Sequence, residues 1–194
     1  MTRATDEWGQ WQKHNARGMS GAEGLRRELE RIVRAGGIAS PVTTTRGLSA
    51  RLRYLDSPAG KAELERQGVT PRLLRAWRRG GTPSAAKLAA VDTAYWNRRR
   101  ANVIKSGALL RILNNDGRGR RIEIYPVDQT HVAQEYRRDL SDRSIQGRYI
   151  WDDLVKAWAE GDAETMEEIW DDVISELDSD YGAYAYVGAV TIGA

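Results

Sequence analysis

Apolar residues recur at helical spacing through the first half of the chain. Between residues 22 and 35, Leu25, Leu29, Ile32 and Val33 form one stripe, which Gly36-Gly37 stops. A second helical stretch covers Leu48 to Leu55 and breaks at Ser57-Pro58, because the residue before proline is pushed out of the αR region. A short piece, 59–67, follows. Thr70 and Pro71 then supply an N-cap oxygen and a first helical position with φ already fixed. Val69 and Leu74 have the spacing of a hydrophobic staple, and Leu73, Leu74 and Trp77 form one apolar face that Gly80-Gly81 ends. From Thr82 or Ser84 the next helix runs to about Arg99, with Leu88, Val91, Ala94 and Tyr95 as its buried stripe.

The second half changes period. Ala108–Leu113 and the alternating run 120–125 predict two strands of a β-hairpin around the loop from Asn114 to Gly119. Asp128 and Thr130 predict the start of a short helix reaching Leu140. Two amphipathic helices follow, 147–160 on Ile150, Trp151, Leu154, Val155 and Trp158, and 162–177 on Met166, Ile169, Trp170, Val173, Ile174 and Leu177. The segment 183–193 has strand composition and would complete a three-stranded sheet backed by this helix pair. If its outer edge stays open, a second copy can pair there to give a homodimer. Residues 1–20 show no sustained period and read as a flexible arm or an irregular extension, in which Trp8 and Trp11, three apart, fit one side of a short helix; 38–46 read as a linker.

The pattern therefore predicts an α+β protein, with a mostly helical N-terminal helix-turn-helix unit followed by a small α/β domain of hairpin, helix pair and terminal strand. The divisions fall at 1–46 (arm and basic helix), 47–104 (helix-turn-helix unit) and 105–194 (acidic domain for dimerisation or partner binding).

Composition narrows the classes. The 194 residues include no cysteine and only two histidines, His14 and His131, so a disulfide scaffold is excluded and a metal site is not expected. No long apolar run or signal-peptide core is present, and the expected setting is cytoplasmic, on the nucleoid. The net charge of +3 hides a polarity: residues 1–100 hold 20 Lys/Arg and 9 Asp/Glu, residues 101–194 hold 10 and 18. A basic half followed by an acidic half points to nucleic acid at one end and a different contact at the other.

Four arginines within eight positions, Arg72, Arg75, Arg78 and Arg79, lie largely off the apolar face of the helix after Thr70. Arginine offers forked donors to guanine edges and phosphates, so this helix is the expected reader of a duplex groove. Thr70 and Lys87 are further expected DNA contacts, and the run Arg98-Arg99-Arg100 with Arg26 and Arg27 on the first helix is expected on phosphates. Arg118, Arg120 and Arg121 fit a DNA contact and a solvated loop equally. The paired carboxylates Asp152/Asp153 and Asp171/Asp172 read as solvated helix faces, and the absence of a catalytic constellation or phosphate-binding loop leads to no expected enzyme activity and no cofactor.

With these residues in view, the chain resembles the telomere-associated terminal proteins of linear actinomycete chromosomes and plasmids. The resemblance covers about residues 47–194. It rests on Gly68-Val69-Thr70 through Arg78 with a long basic helix after it, on Asp116-Gly117-Arg118 with Arg120-Arg121-Ile122, on the helix pair joined around 159–163, and on the terminal strand. It implies binding of telomeric DNA, duplex or folded from an overhang, a telomere-associated protein or DNA polymerase as partner, and a side-chain hydroxyl that becomes joined to the 5′ end. The family's threonine-rich segment is absent; Lys105-Ser106-Gly107 stands there, and Ser106 is its one hydroxyl. Tyr125 is a second candidate on chemical grounds alone. The alternative reading of the residues is a helix-turn-helix transcriptional or plasmid-replication regulator that dimerises through its C-terminal domain.

Overall fold

The computed structural model describes residues 8–193, the side chains of 8–10 and 178–180 excepted. The architecture is mixed α+β with helices predominant and a four-stranded antiparallel sheet. The chain divides into two compact units: Val33–Ser106, and the residues up to Ile32 joined with Gly107 onward.

The first, helical unit contains α3 (Thr45–Tyr54), α4 (Pro58–Arg66), α5 (Pro71–Arg78) and α6 (Ala85–Lys105). Each start is a side-chain cap: Thr44, Ser57, Thr70 and Ser84 accept from the amides of Gly47, Gly60, Leu73 and Lys87. Their apolar stripes meet in a core of Leu55, Leu64, Val69, Val91, Ala94 and Tyr95. Full burial of each leucine stabilises by about 1.5–3 kcal/mol. Residues 38–46 do not behave as the expected linker. Ile38 and Val42 pack on this core, the Ile38 amide donates to Tyr95 Oη at 2.8 Å, and the Arg51 guanidinium donates to Ser40 O at 2.7 Å.

The second, sheet unit draws on both chain ends. It holds α1 (Trp8–Lys13), β1 (Met19–Ser20), most of α2 (Gly21–Ala35), α7 (Ala108–Asn114), β2 (Arg120–Pro126), β3 (Arg143–Gly147), α8 (Trp151–Glu160), α9 (Ala163–Ser175) and β4 (Tyr186–Ile192). The strand order is β1-β4-β2-β3, so the strands are not confined to the second half of the chain. Of the stretch 1–20, residues 1–7 lie outside the described residues; the short helix that Trp8 and Trp11 fit forms as α1, and Met19–Ser20, instead of trailing as an arm, make an edge strand, with Met19 opposite Val187 and Ser20 opposite Tyr186. His14, solitary in the sequence, stacks on Tyr136 with ring centroids 4.1 Å apart. The docking of α2 explains why the N-terminus belongs here. A Cβ at Gly21 would overlap the Trp170 ring and one at Gly24 would stand 2.6 Å from Val190 Cγ2, so glycine lets the helix approach both. Leu25 and Leu29 are fully buried, and the buried Glu28 accepts from the Ile192 amide at 3.0 Å.

Two further expectations change. Residues 108–114 are a helix, not a strand: Leu109 and Leu113, four apart, are both fully buried, and α7 contacts α8. A short apolar run fits either period, and the tertiary contact decides. The Asn/Gly loop reverses the chain with Asn115, Asp116, Gly117 and Gly119 all at positive φ, but it joins a helix to a strand. Strand β2 therefore pairs with β3 (Ile122 opposite Ile145) and β4 (Ile122 opposite Ile192), both distant in sequence. The terminal strand is internal in this order, with β2 on one side and β1 on the other at Tyr186 and Val187, so the start of the edge expected to stay open is taken within the chain. The segment 128–140 contains only a 3₁₀ turn at Gln134–Tyr136, because Asp128 turns its carboxylate onto the Thr130 amide at 2.8 Å instead of starting an α-helix. The expected helix pair forms as α8 and α9, turned by Gly161 at φ 74° and capped by Asp162.

Candidate nucleic-acid interface

The arginine cluster is positioned by the connection between α4 and α5. Gly68 adopts φ 73°, a left-handed conformation that costs a residue with a side chain roughly 1–2 kcal/mol. That reversal places Val69 inward, fully buried, with its amide donating to Leu64 O at 2.8 Å. Thr70 then caps α5, its hydroxyl accepting from the Leu73 amide at 3.4 Å, and Pro71 opens the helix. At the far end Gly80, at φ 95°, lets the Gly81 amide return to Ala76 O at 3.0 Å.

Helix α5 lies shallow. Leu74 and Trp77 pack on the core but, like Leu73, are only half-buried, and no residue of α5 is fully buried. Arg72, Arg75, Arg78 and Arg79 are exposed. Arg72, Arg75 and Arg79, spaced three and four apart, share the stripe opposite the leucines. Arg78 sits to one side, toward Asp56, whose carboxyl is held below the ordinary carboxylate value mainly by the Lys61 ammonium bonded to it at 2.8 Å and in smaller part by Arg78.

Other residues expected at DNA have architectural partners. Lys87 Nζ donates to Gly68 O at 2.7 Å and so ties α6 to the turn before α5. Arg99 is half-buried and donates from Nε to Val33 O at 2.8 Å. Arg98 and Arg100 flank it, also half-buried. Arg26 and Arg27 lie in the sheet unit on α2, both bonded to Glu23, at 2.6 and 2.7 Å. The Arg26 hydrogen bond leads in drawing the Glu23 carboxyl down to about 2. Ser106 is exposed at the C-cap of α6, its hydroxyl donating to Val103 O at 3.3 Å. Tyr125 is half-buried and donates to Glu123 at 3.1 Å.

The residue that sequence reasoning passed over is Arg51. It is almost completely buried and donates to Asp92 at 2.6 Å, to Ser40 O and to Gly47 O, with its guanidinium 5.2 Å from the Tyr95 ring centre. It joins the 38–47 segment, α3 and α6. Its position three residues after Leu48 and one before Leu52, partly within the apolar face, was the available signal. Glu63, also buried, accepts from Asn97 at 2.9 Å and links α4 to α6. Together these bonds make a rigid platform from which α5 presents its arginines.

No protein-family model matches the chain, and neither a curated protein nor a solved structure does. Among the described residues, no helix is long and apolar enough to cross a membrane.

Proposed function

We propose that the helical unit binds double-stranded DNA as a helix-turn-helix module, with α4 crossing the backbone and α5 entering the major groove. The observation that carries this reading is the α4–Gly68–α5 arrangement with Arg72, Arg75 and Arg79 exposed on one stripe and the leucines on the other. Shallow seating suits the role: a helix that must reach base edges cannot be sunk in its own domain. Arg72, Arg75 and Arg79 read bases, while Arg78, Arg98 and Arg100 and the N-terminal end of α5 at Thr70 meet phosphates. Lys87 and Arg99 act indirectly, by holding the turn and the end of α2. Arg26 and Arg27, each bonded to Glu23, are less disposed to release DNA counterions than Arg72 and Arg75, which have no ion-pair partner among the described residues.

Within this reading the protein serves the ends of a linear replicon as a terminal protein. The resemblance to that family from Gly68 through the long basic helix and the exposed hydroxyl of Ser106 directly after that helix support it. A priming polymerase would bring the metal ions, and this chain supplies the acceptor hydroxyl and the address. Sequencing of genomic fragments retained by the purified protein is the deciding experiment: enrichment of replicon ends is expected, and enrichment of one internal promoter would make the protein a regulator instead. Incubation with the cognate polymerase and labelled dNTP should label the chain, and Ser106→Ala should abolish the label.

A further inference from the structure

The half-buried side of α5 leaves a cleft in the helical unit, of which the DNA reading uses only Arg78 at the rim. Its volume is about 600 Å³, and it is walled by α3, α4, α5 and the loop at Gly81–Pro83. The floor is apolar: Leu48 and Leu52 come from α3, Leu74 and Trp77 from α5, and Leu88 from α6. None of these five is fully buried, although each lies on the core-facing side of its helix. One end of the cleft is cationic. Arg53, Lys61 and Arg78 line it together with a single carboxylate, Asp56. Lys61 already holds that carboxylate at 2.8 Å, and Arg53 has no ion-pair partner among the described residues.

We propose that this cleft binds a small anionic amphiphile, an alkyl chain with a carboxylate or phosphate head, the chain lying on the leucines and Trp77 and the head at Arg53 and Arg78. Three features select that occupant. The volume falls in the range of small-molecule sites, roughly 300–1,000 Å³. The walls close on it from three helices, which suits an inserted chain better than a helix laid across a flat face. Cations outnumber carboxylates at the polar end, so an anionic head is favoured over a neutral or cationic one. Binding here does not depend on the DNA reading, and it is measured with no DNA present.

The test uses the full chain, isotope-labelled, titrated separately with decanoate, decyl phosphate and 1-decanol below their aggregation limits and followed by NMR. Saturable shifts at the Leu48, Leu52, Leu74 and Leu88 methyls and the Trp77 indole NH are expected with either anion; the tighter of the two identifies the head. The neutral alcohol should bind more weakly, by up to about fivefold, as the loss of a solvent-accessible charge contact implies. Arg53→Ser, at an exposed position that carries no core contact, should remove that preference while leaving the shifts at the methyls. Shifts that never saturate, that fall outside the cleft, or that are as strong for 1-decanol as for decanoate in the unmodified protein overturn the proposal. So does perturbation of these methyls by an acidic amphipathic peptide when neither alkyl anion has any effect, which would assign the cleft to a protein partner.

Discussion

The two units solve opposite problems with similar helices. The helical unit, residues 33–106, holds fifteen Lys/Arg and four Asp/Glu, whereas the remainder holds fifteen and twenty-three. Cutting the chain by folding unit gives a sharper basic domain than cutting it at its midpoint, because Glu23, Glu28 and Glu30 leave with the N-terminal part of α2. Burial differs as well. Helix α9 sinks Met166, Ile169, Trp170, Val173 and Ile174, and Trp170 Nε1 donates to Tyr184 O at 3.0 Å. Helix α5 sinks nothing completely. A helix that only supports a fold is drawn in as far as its apolar face allows, and a helix that presents side chains to a partner stays near the surface. Both helices follow the same periodicity rules, so the contrast lies in depth of seating.

The largest effect that would sharpen this contrast is on DNA affinity. Arg72→Ala with Arg75→Ala should weaken binding to the selected duplex by about 1–3 kcal/mol for each lost base contact. Fluorescence anisotropy with the selected and a scrambled duplex reads it, and equal affinity for both duplexes in a folded double variant would remove α5 from the groove. Arg51→Met should destabilise the helical unit by about 3 kcal/mol, the low end for a broken buried ion pair, because Asp92 remains partly solvated. Urea unfolding followed by residue-resolved NMR should show that loss in 33–106 while the sheet unit keeps its midpoint. Gly68→Ala should cost roughly 1–2 kcal/mol in the same assay, since the left-handed φ of 73° is retained only under strain.

The smallest effects are electrostatic and belong to the sheet unit. Burial leads in raising the Glu167 carboxyl above its ordinary value; Ser20 opposes this by a hydrogen bond at 2.7 Å and Asp171 adds to it. A carboxyl raised in the folded state favours folding while it holds its proton, and that contribution fades as pH rises from the unfolded value through the folded one. Glu167→Gln should therefore raise the melting temperature at pH 7, with the gain shrinking toward pH 4. Glu23 has the opposite sign. Its contribution is complete above about 4.5 and is lost as pH falls toward 2. Glu23→Gln should lower stability at pH 7 by roughly 0.2–1 kcal/mol, the range of exposed pairs, and make progressively less difference as pH falls through 2.

How much could be read in advance depends on where the determining contact lies. The cap at Thr70, Pro71 at the first helical position, the turn at Gly68 and the stop at Gly80 are local chemistry, and all were legible. So was the α8–α9 pair, whose apolar spacing runs long enough to exclude a strand. The ALLRIL run was not, because Leu109 and Leu113 fit two periods until α8 is placed beside them. The same holds for site residues: the exposure of Arg72, Arg75 and Arg79 follows from their position opposite the leucines. The diversion of Lys87 to Gly68 O and of Arg99 to Val33 O needs partners 19 and 66 residues away.

The amino-acid order alone settled where helices begin and end around α5, which of its faces is greasy, and that the charge is lopsided, because each of these is a matter of neighbours within a turn or two. Tertiary structure alone decided that α2 and β1 join the C-terminal strands, that β4 lies inside the sheet, and that Arg51 is buried. Those outcomes depend on which distant surfaces fit, on the absent Cβ atoms of Gly21 and Gly24 and on one guanidinium meeting Asp92 and two carbonyls, and no short-range pattern encodes them.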